Sequence, residues 1–72
     1  MKWSKAIREI RNRMASGEKV LITYHRKHMK NDSHIEYVDE VIEYLYSGET
    51  CFAINTDCNQ FDESTHIVDE IN

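Results

Sequence analysis

Three histidines, His25, His28 and His34, fall within ten residues of one another beside Asp32, and they are the first side chains in this sequence that could do chemistry. A zinc site needs three or four converging ligands, usually in pairs separated by roughly two to five residues. The histidines are separated by two and five residues, and Cys51 and Cys58 by six, so no tight pair of ligands anchors such a site. The run from Asp57 begins like a calcium loop at Asp57 and Asn59. It then places Asp62 where the sharp turn requires Gly, and Val68 where a bidentate Glu should close the coordination shell. Neither metal is expected, and no cofactor motif is present.

Nucleophilic catalysis would need a thiolate or hydroxyl beside a base, with donors for an oxyanion. Cys51 opens an apolar stretch and reads as a small buried hydrophobe, whereas Cys58 sits in a polar run. The chain has two glycines and lacks a phosphate-binding glycine loop, G-x-S-x-G and H-E-x-x-H. The sequence therefore points to a binding protein and not to an enzyme.

Charge is the strongest signal. All nine Lys and Arg lie in residues 1–30 against Glu9 and Glu18, and residues 31–72 hold eleven Asp and Glu with no Lys or Arg. Blocks of this kind are commonly interaction surfaces. One expectation is a small regulator or inhibitor, of the kind encoded by phage and mobile elements. It would bind a protein partner, such as a nucleic-acid enzyme, through acidic residues Glu36, Glu40, Glu43, Asp62 and Glu63, with Asp57, Asp69 and Glu70 adding charge. The alternative is a nucleic-acid-binding module that neutralises phosphates with Lys5, Arg8, Arg11, Arg26, Lys27 and Lys30 and stacks a base on Tyr24. The oppositely charged halves could also attract each other between copies, giving a two-fold dimer or a head-to-tail array.

The elements that must position these residues belong to one small α+β domain spanning 1–72, since a chain of 72 residues hides only about 60% of its unfolded surface. Trp3, Ile7, Ile10 and Met14 are spaced four, three and four apart, which puts them on one stripe of a helix. Lys2, Lys5, Arg8 and Arg13 fall opposite, with Arg11 at the flank. Ser4 is a candidate N-cap and Gly17 a candidate stop, so the helix is expected over 4–15. Residues 19–25, rich in β-branched and aromatic side chains, read as a strand.

The segment 34–46 is ambiguous, because its Val, Ile and Tyr favour a strand while its periodicity gathers Ile35, Val38, Val41, Ile42 and Leu45 on one side of a helix. Ser33 and Glu36 have the form of a capping box and Gly48 is a natural stop, so a second helix over 34–46 is favoured. On that reading "MASGEKVLI" and "LYSGETCFA" form a weak repeat of helix, Ser-Gly-Glu turn and strand. A strand over 50–56, a polar loop and a short closing segment at 66–72 complete a sheet of three to four strands. If 34–46 is instead one bent strand, the order of elements resembles small SH3-like and Sm-like β-barrels. The expected core is Trp3, Ile7, Ile10, Met14, Val20, Ile22, Val38, Ile42, Leu45, Phe52 and Ile54. The opening residues contain no apolar run long enough for a signal peptide or a membrane span, so a cytoplasmic location is expected.

Overall fold

The computed structural model describes residues 1–56 and 61–72. It is an α+β domain in which one N-terminal helix packs on two small antiparallel sheets. The helix, α1 (Trp3–Ala15), follows the predicted apolar stripe and buries Trp3, Ala6, Ile7 and Ile10. Its start differs from expectation. Ser4 lies inside the first turn, and Lys2 occupies the N-cap without a side-chain hydrogen bond. Its end is a Schellman motif: Gly17 N–H donates to the Met14 carbonyl and Glu18 N–H to the Arg13 carbonyl. Gly17 supplies the positive φ, 81°, which that geometry requires.

Six strands follow: β1 (Leu21–Arg26), β2 (His34–Tyr37), β3 (Val41–Tyr46), β4 (Glu49–Ile54), β5 (Phe61–Asp62) and β6 (His66–Ile71). They form two three-stranded sheets of order β2-β1-β6 and β3-β4-β5, and these do not close into a barrel. No helix among the described residues is long and apolar enough to cross a membrane.

The second helix expected over 34–46 is absent, and its place is taken by β2, a bend at 38–40, and β3. The helical pattern misled because it demanded one buried face. Of the five residues on that face only Val38 is buried, while Ile35 is 62% and Leu45 77% exposed. The β-branched and aromatic content of the segment prevails once β1 and β4 offer pairing partners. The helix-turn-strand repeat falls with it. The first Ser-Gly-Glu ends a helix, whereas in the second Ser47 and Gly48, with φ of 52° and 81°, make the two-residue turn of the β3–β4 hairpin.

The bend between β2 and β3 is held by Asn55, which is 3% exposed and has a φ of 65°. Its Oδ1 accepts from the backbone N–H of Asp39 at 2.7 Å, and its Nδ2 donates to the Tyr37 carbonyl at 3.0 Å. Its own N–H donates to the Glu40 carbonyl. One side chain thus supplies the backbone partners that a sheet ladder cannot supply at a corner.

The core lies between α1 and the inner faces of both sheets, with Ile10, Ile22 and Ile54 at 0% exposure. Each such side chain contributes about 1.5–3 kcal/mol on burial. Tyr24, Phe61 and Val68 belong to this core although the sequence did not mark them, and Met14 and Phe52 pack only at its margin. Leu45 is not in the core at all and is the most exposed of the large apolar side chains on the strands.

Candidate anion-binding site

The residues that come together lie where β1 ends and β6 begins. Arg26 is the last residue of β1 and stands opposite His66, the first of β6, and Lys27 N–H donates to the Thr65 carbonyl at 3.0 Å. The chain then turns at His28, whose φ is 76°. Arg26, Lys27, His28, Ser64, Thr65 and His66 line an open cavity of about 530 Å³.

The wall opposite Arg26 is fixed by Asp62. Its Oδ1 accepts four hydrogen bonds: from Ser64 N–H at 3.1 Å, Ser64 Oγ at 2.6 Å, Thr65 N–H at 3.1 Å and Thr65 Oγ1 at 2.9 Å. Partial burial pushes the Asp62 carboxyl up, but these donors together outweigh it and hold the group below its ordinary value. An ionised Asp62 accepts a hydrogen bond from the Thr65 hydroxyl, which commits that hydroxyl's one proton. Thr65 Oγ1, 2.7 Å from His66 Nδ1, is then left to accept from that ring nitrogen. Neutral His66 therefore presents an unprotonated Nε2. Burial, and then the Arg26 guanidinium, keep His66 below the usual histidine range, with Asp62 opposing them in part. Both hydroxyls, of Ser64 and Thr65, are engaged by Asp62.

Trp3 ties the helix to this end, since its Nε1–H donates to the His66 carbonyl at 3.0 Å. The candidate basic residues divide accordingly. Arg26 and Lys27 line the cavity, and Lys30 follows in the same connection. Lys5 and Arg8 lie on exposed positions of α1. Arg11 is turned to the other sheet, 2.9 Å from Glu43 and with its guanidinium carbon 5.6 Å from the centre of the Phe52 ring. Among the described residues, Arg11 and Arg13 are the two Lys or Arg side chains within 4.0 Å of a carboxylate, and the partner of Arg13 is Glu9 of the same helix. Among the described residues, the Lys and Arg of the first half and the carboxylates of the second therefore meet in one exposed ion pair, although the two halves pair backbone to backbone through β1.

Tyr24 is not an open platform for a base. It is 8% exposed and stacks on Phe61 at 4.0 Å and 7°, and burial, then Glu36, push its hydroxyl up. His25 sits on the opposite face of β1, where Nδ1 lies 2.7 Å from Asp69 Oδ2. His34 packs 5.6 Å from the Tyr24 ring and lies 3.3 Å from Asp32. Among the described residues no three ligating side chains form a metal-sized group. The calcium-like run starts at Asp57 and includes Asn59, which with Cys58 lie outside the described residues.

The acidic candidates are dispersed. Glu36 stands on β2 opposite Ile22, Glu40 lies in the bend and accepts from Thr56 Oγ1, and Glu43 is on β3 in the other sheet, paired with Arg11. Asp62 is used in its turn, and Glu63 Oε1 accepts from Phe52 N–H at 3.0 Å. Cys51 on β4 is half-buried, and burial, followed by the Glu63 and Glu49 carboxylates, raises its thiol above the ordinary value, the reverse of activation.

The sequence had marked Arg26 and Lys27 but not Ser64, Thr65 or His66, which reach the site only through β1–β6 pairing. The signal that could have found them is the alternation of residues 66–71, read as a partner strand for β1. The chain matches no family model, no curated protein and no solved structure.

Proposed function

We propose that this domain is a non-enzymatic binding module that holds the phosphodiester backbone of a single-stranded nucleic acid at the β1–β6 end. The observation that carries the reading is the cavity in which Arg26 and Lys27 face His66 and the Ser64–Thr65 turn. Two cations on one wall supply charge. The size of the cavity suits one or two phosphates on a strand that can bend into it, and a rigid duplex would have to span a wider footprint. The cations in the following connection and on α1, Lys30, Lys5 and Arg8, would extend the track. Carboxylates away from this end, such as Glu40 and Glu43, would repel the same strand, and Asp62 has its charge spread over four donors.

The competing reading, binding of a protein partner through Glu36, Glu40, Glu43, Asp62 and Glu63, has less support, because these carboxylates are spread over both sheets and Glu40, Glu43, Asp62 and Glu63 already accept hydrogen bonds within the chain. Fluorescence anisotropy with a labelled single-stranded oligonucleotide tests the proposal. Binding should weaken steeply with salt, and Arg26→Ala with Lys27→Ala should reduce the slope of log K against log salt by about 0.7 for each phosphate contact removed. A flat salt response, or a double variant that binds as the parent does, removes it.

A further inference from the structure

β3 forms the outer edge of the β3-β4-β5 sheet, and apart from Glu43 its sequence, Val-Ile-Glu-Tyr-Leu-Tyr, carries none of the devices that usually protect an edge. It has no Lys, Arg or Pro, and its register with β4 runs over six residue pairs without a bulge. The edge of the other sheet is better defended: β2 is four residues long and carries His34 and Glu36, and β6 meets β1 through a register shift. Leu45 and Tyr46 are exposed at the end of β3. The single charge on the strand, Glu43, is already matched by Arg11 of the same protomer.

The direction of the unpaired backbone groups follows from the ladder. Asn55 N–H donates to the Glu40 carbonyl, so in the register Val41↔Ile54, Ile42↔Ala53 and onward, Ile42, Tyr44 and Tyr46 direct their amides and carbonyls to β4. Val41, Glu43 and Leu45 direct theirs outward, and no described residue hydrogen-bonds them.

We infer that this edge pairs with the same edge of a second copy, antiparallel about a two-fold axis, to make a continuous six-stranded sheet. Outward groups must face outward groups, which leaves two registers that pair five residues of each strand. One sets Glu43 directly against Glu43 of the second copy, and like charges opposite each other are unfavourable. The other sets Tyr44 against Tyr44, Ile42 against Tyr46, and Glu43 against Leu45, with no like charges opposed. The second register is the one adopted. It gives four backbone hydrogen bonds between Glu43 and Leu45 of opposite copies, and it places the tyrosines in a pair not bonded through the backbone, where side chains approach most closely. The interface is one strand wide, so the dimer belongs to the weak, concentration-dependent class. This inference is independent of the nucleic-acid reading.

Sedimentation equilibrium from about 10 μM to about 1 mM tests it, with two variants at one exposed position. Leu45→Glu puts a second carboxylate against Glu43 of the other copy at two symmetric places and should weaken dimerisation at least about tenfold. Leu45→Lys puts a cation there and should leave dimerisation intact, whereas a merely sticky apolar patch would suffer equally from both. Circular dichroism should show both variants folded, since Leu45 contributes nothing to the core. In the parent protein, the amide hydrogens of Glu43 and Leu45 should gain exchange protection as concentration rises. A protein that stays monomeric across the range, Leu45 variants that behave alike, or Glu43 and Leu45 amides that gain no protection would each overturn the inference.

Discussion

Asn55 Oδ1 lies 2.7 Å from the backbone nitrogen of Asp39, sixteen residues earlier, and this bond is what lets β2 hand over to β3. The bend has no ladder of its own, so Asn55 satisfies backbone groups on both sides of it. Replacing Asn55 by Ala leaves a buried donor and acceptor without partners and should cost about 2–6 kcal/mol, from one to three for each group orphaned. Asn55→Asp retains the acceptor for Asp39 but loses the donor to Tyr37 and buries a charge, so it should also destabilise. Urea unfolding measures both, and an alanine variant within about 0.5 kcal/mol of the parent would show that the corner is held by something else.

Asp62 and His66 predict how stability responds to acid. Both have folded-state values below their ordinary ones, so in each case the unfolded chain takes up the proton first. Each group therefore contributes stability that is present above its unfolded value and is lost as pH falls through its folded value. For His66 the loss begins near pH 6.5, and for Asp62 it begins near pH 4. Urea midpoints taken from pH 8 to pH 3 should fall in two stages. His66→Gln should flatten the upper stage and leave the lower one, whereas a parent protein equally stable at pH 7 and pH 5 would contradict the environment described for His66.

Among the described residues, Arg11–Glu43 is the one Lys or Arg ion pair that joins the basic and acidic halves, and both side chains are about half exposed, at 48% and 52%. An ion pair so open to water is worth about 0.2–1 kcal/mol in a double-mutant cycle, and salt should reduce it. The charge division of the sequence is therefore not a major source of stability. Arg11→Ala should cost more than the pair itself, because the guanidinium also covers the Phe52 ring. A coupling energy above about 2 kcal/mol between Arg11→Ala and Glu43→Ala would mean that the halves hold the fold together after all.

How much of this could be read from the chain differs by element, for physical reasons. α1 was legible because its apolar stripe and its stop at Gly17 are local features, and only its cap was misplaced. Residues 34–46 were not, because a segment of Val, Ile and Tyr with helical spacing satisfies both patterns until β1 and β4 decide the matter. Phe61 was hidden in a polar run, yet it packs between Trp3 and Tyr24 because β5 pairs with the end of β4. The site shows the same divide. Its basic wall is a contiguous block, whereas Ser64, Thr65 and His66 are brought in by the β1–β6 register, for which the weak alternation of 66–71 was the one local sign. Asn55 gave no warning at all, since it fell inside the strand expected over 50–56 and nothing local marks it as the support of a corner formed by residues 37–40.

Trp3 links the two kinds of feature, because a residue of the legible helix makes a bond to the unmarked wall of the cavity. Trp3→Phe keeps most of the buried ring and the contact with Phe61 but leaves the His66 carbonyl without its indole donor. Stability should fall by about 1–3 kcal/mol, as expected for an orphaned, partly buried acceptor. If the indole also fixes β6 against Arg26, oligonucleotide affinity should drop in the variant under conditions where it remains fully folded by circular dichroism. Salt dependence should separate the causes. A displaced wall lowers affinity while leaving the salt slope as it was, since Arg26 and Lys27 are untouched, whereas removing either of those cations changes the slope itself. A variant with parental affinity and parental stability would show that the indole bond neither holds the helix to β6 nor shapes the cavity.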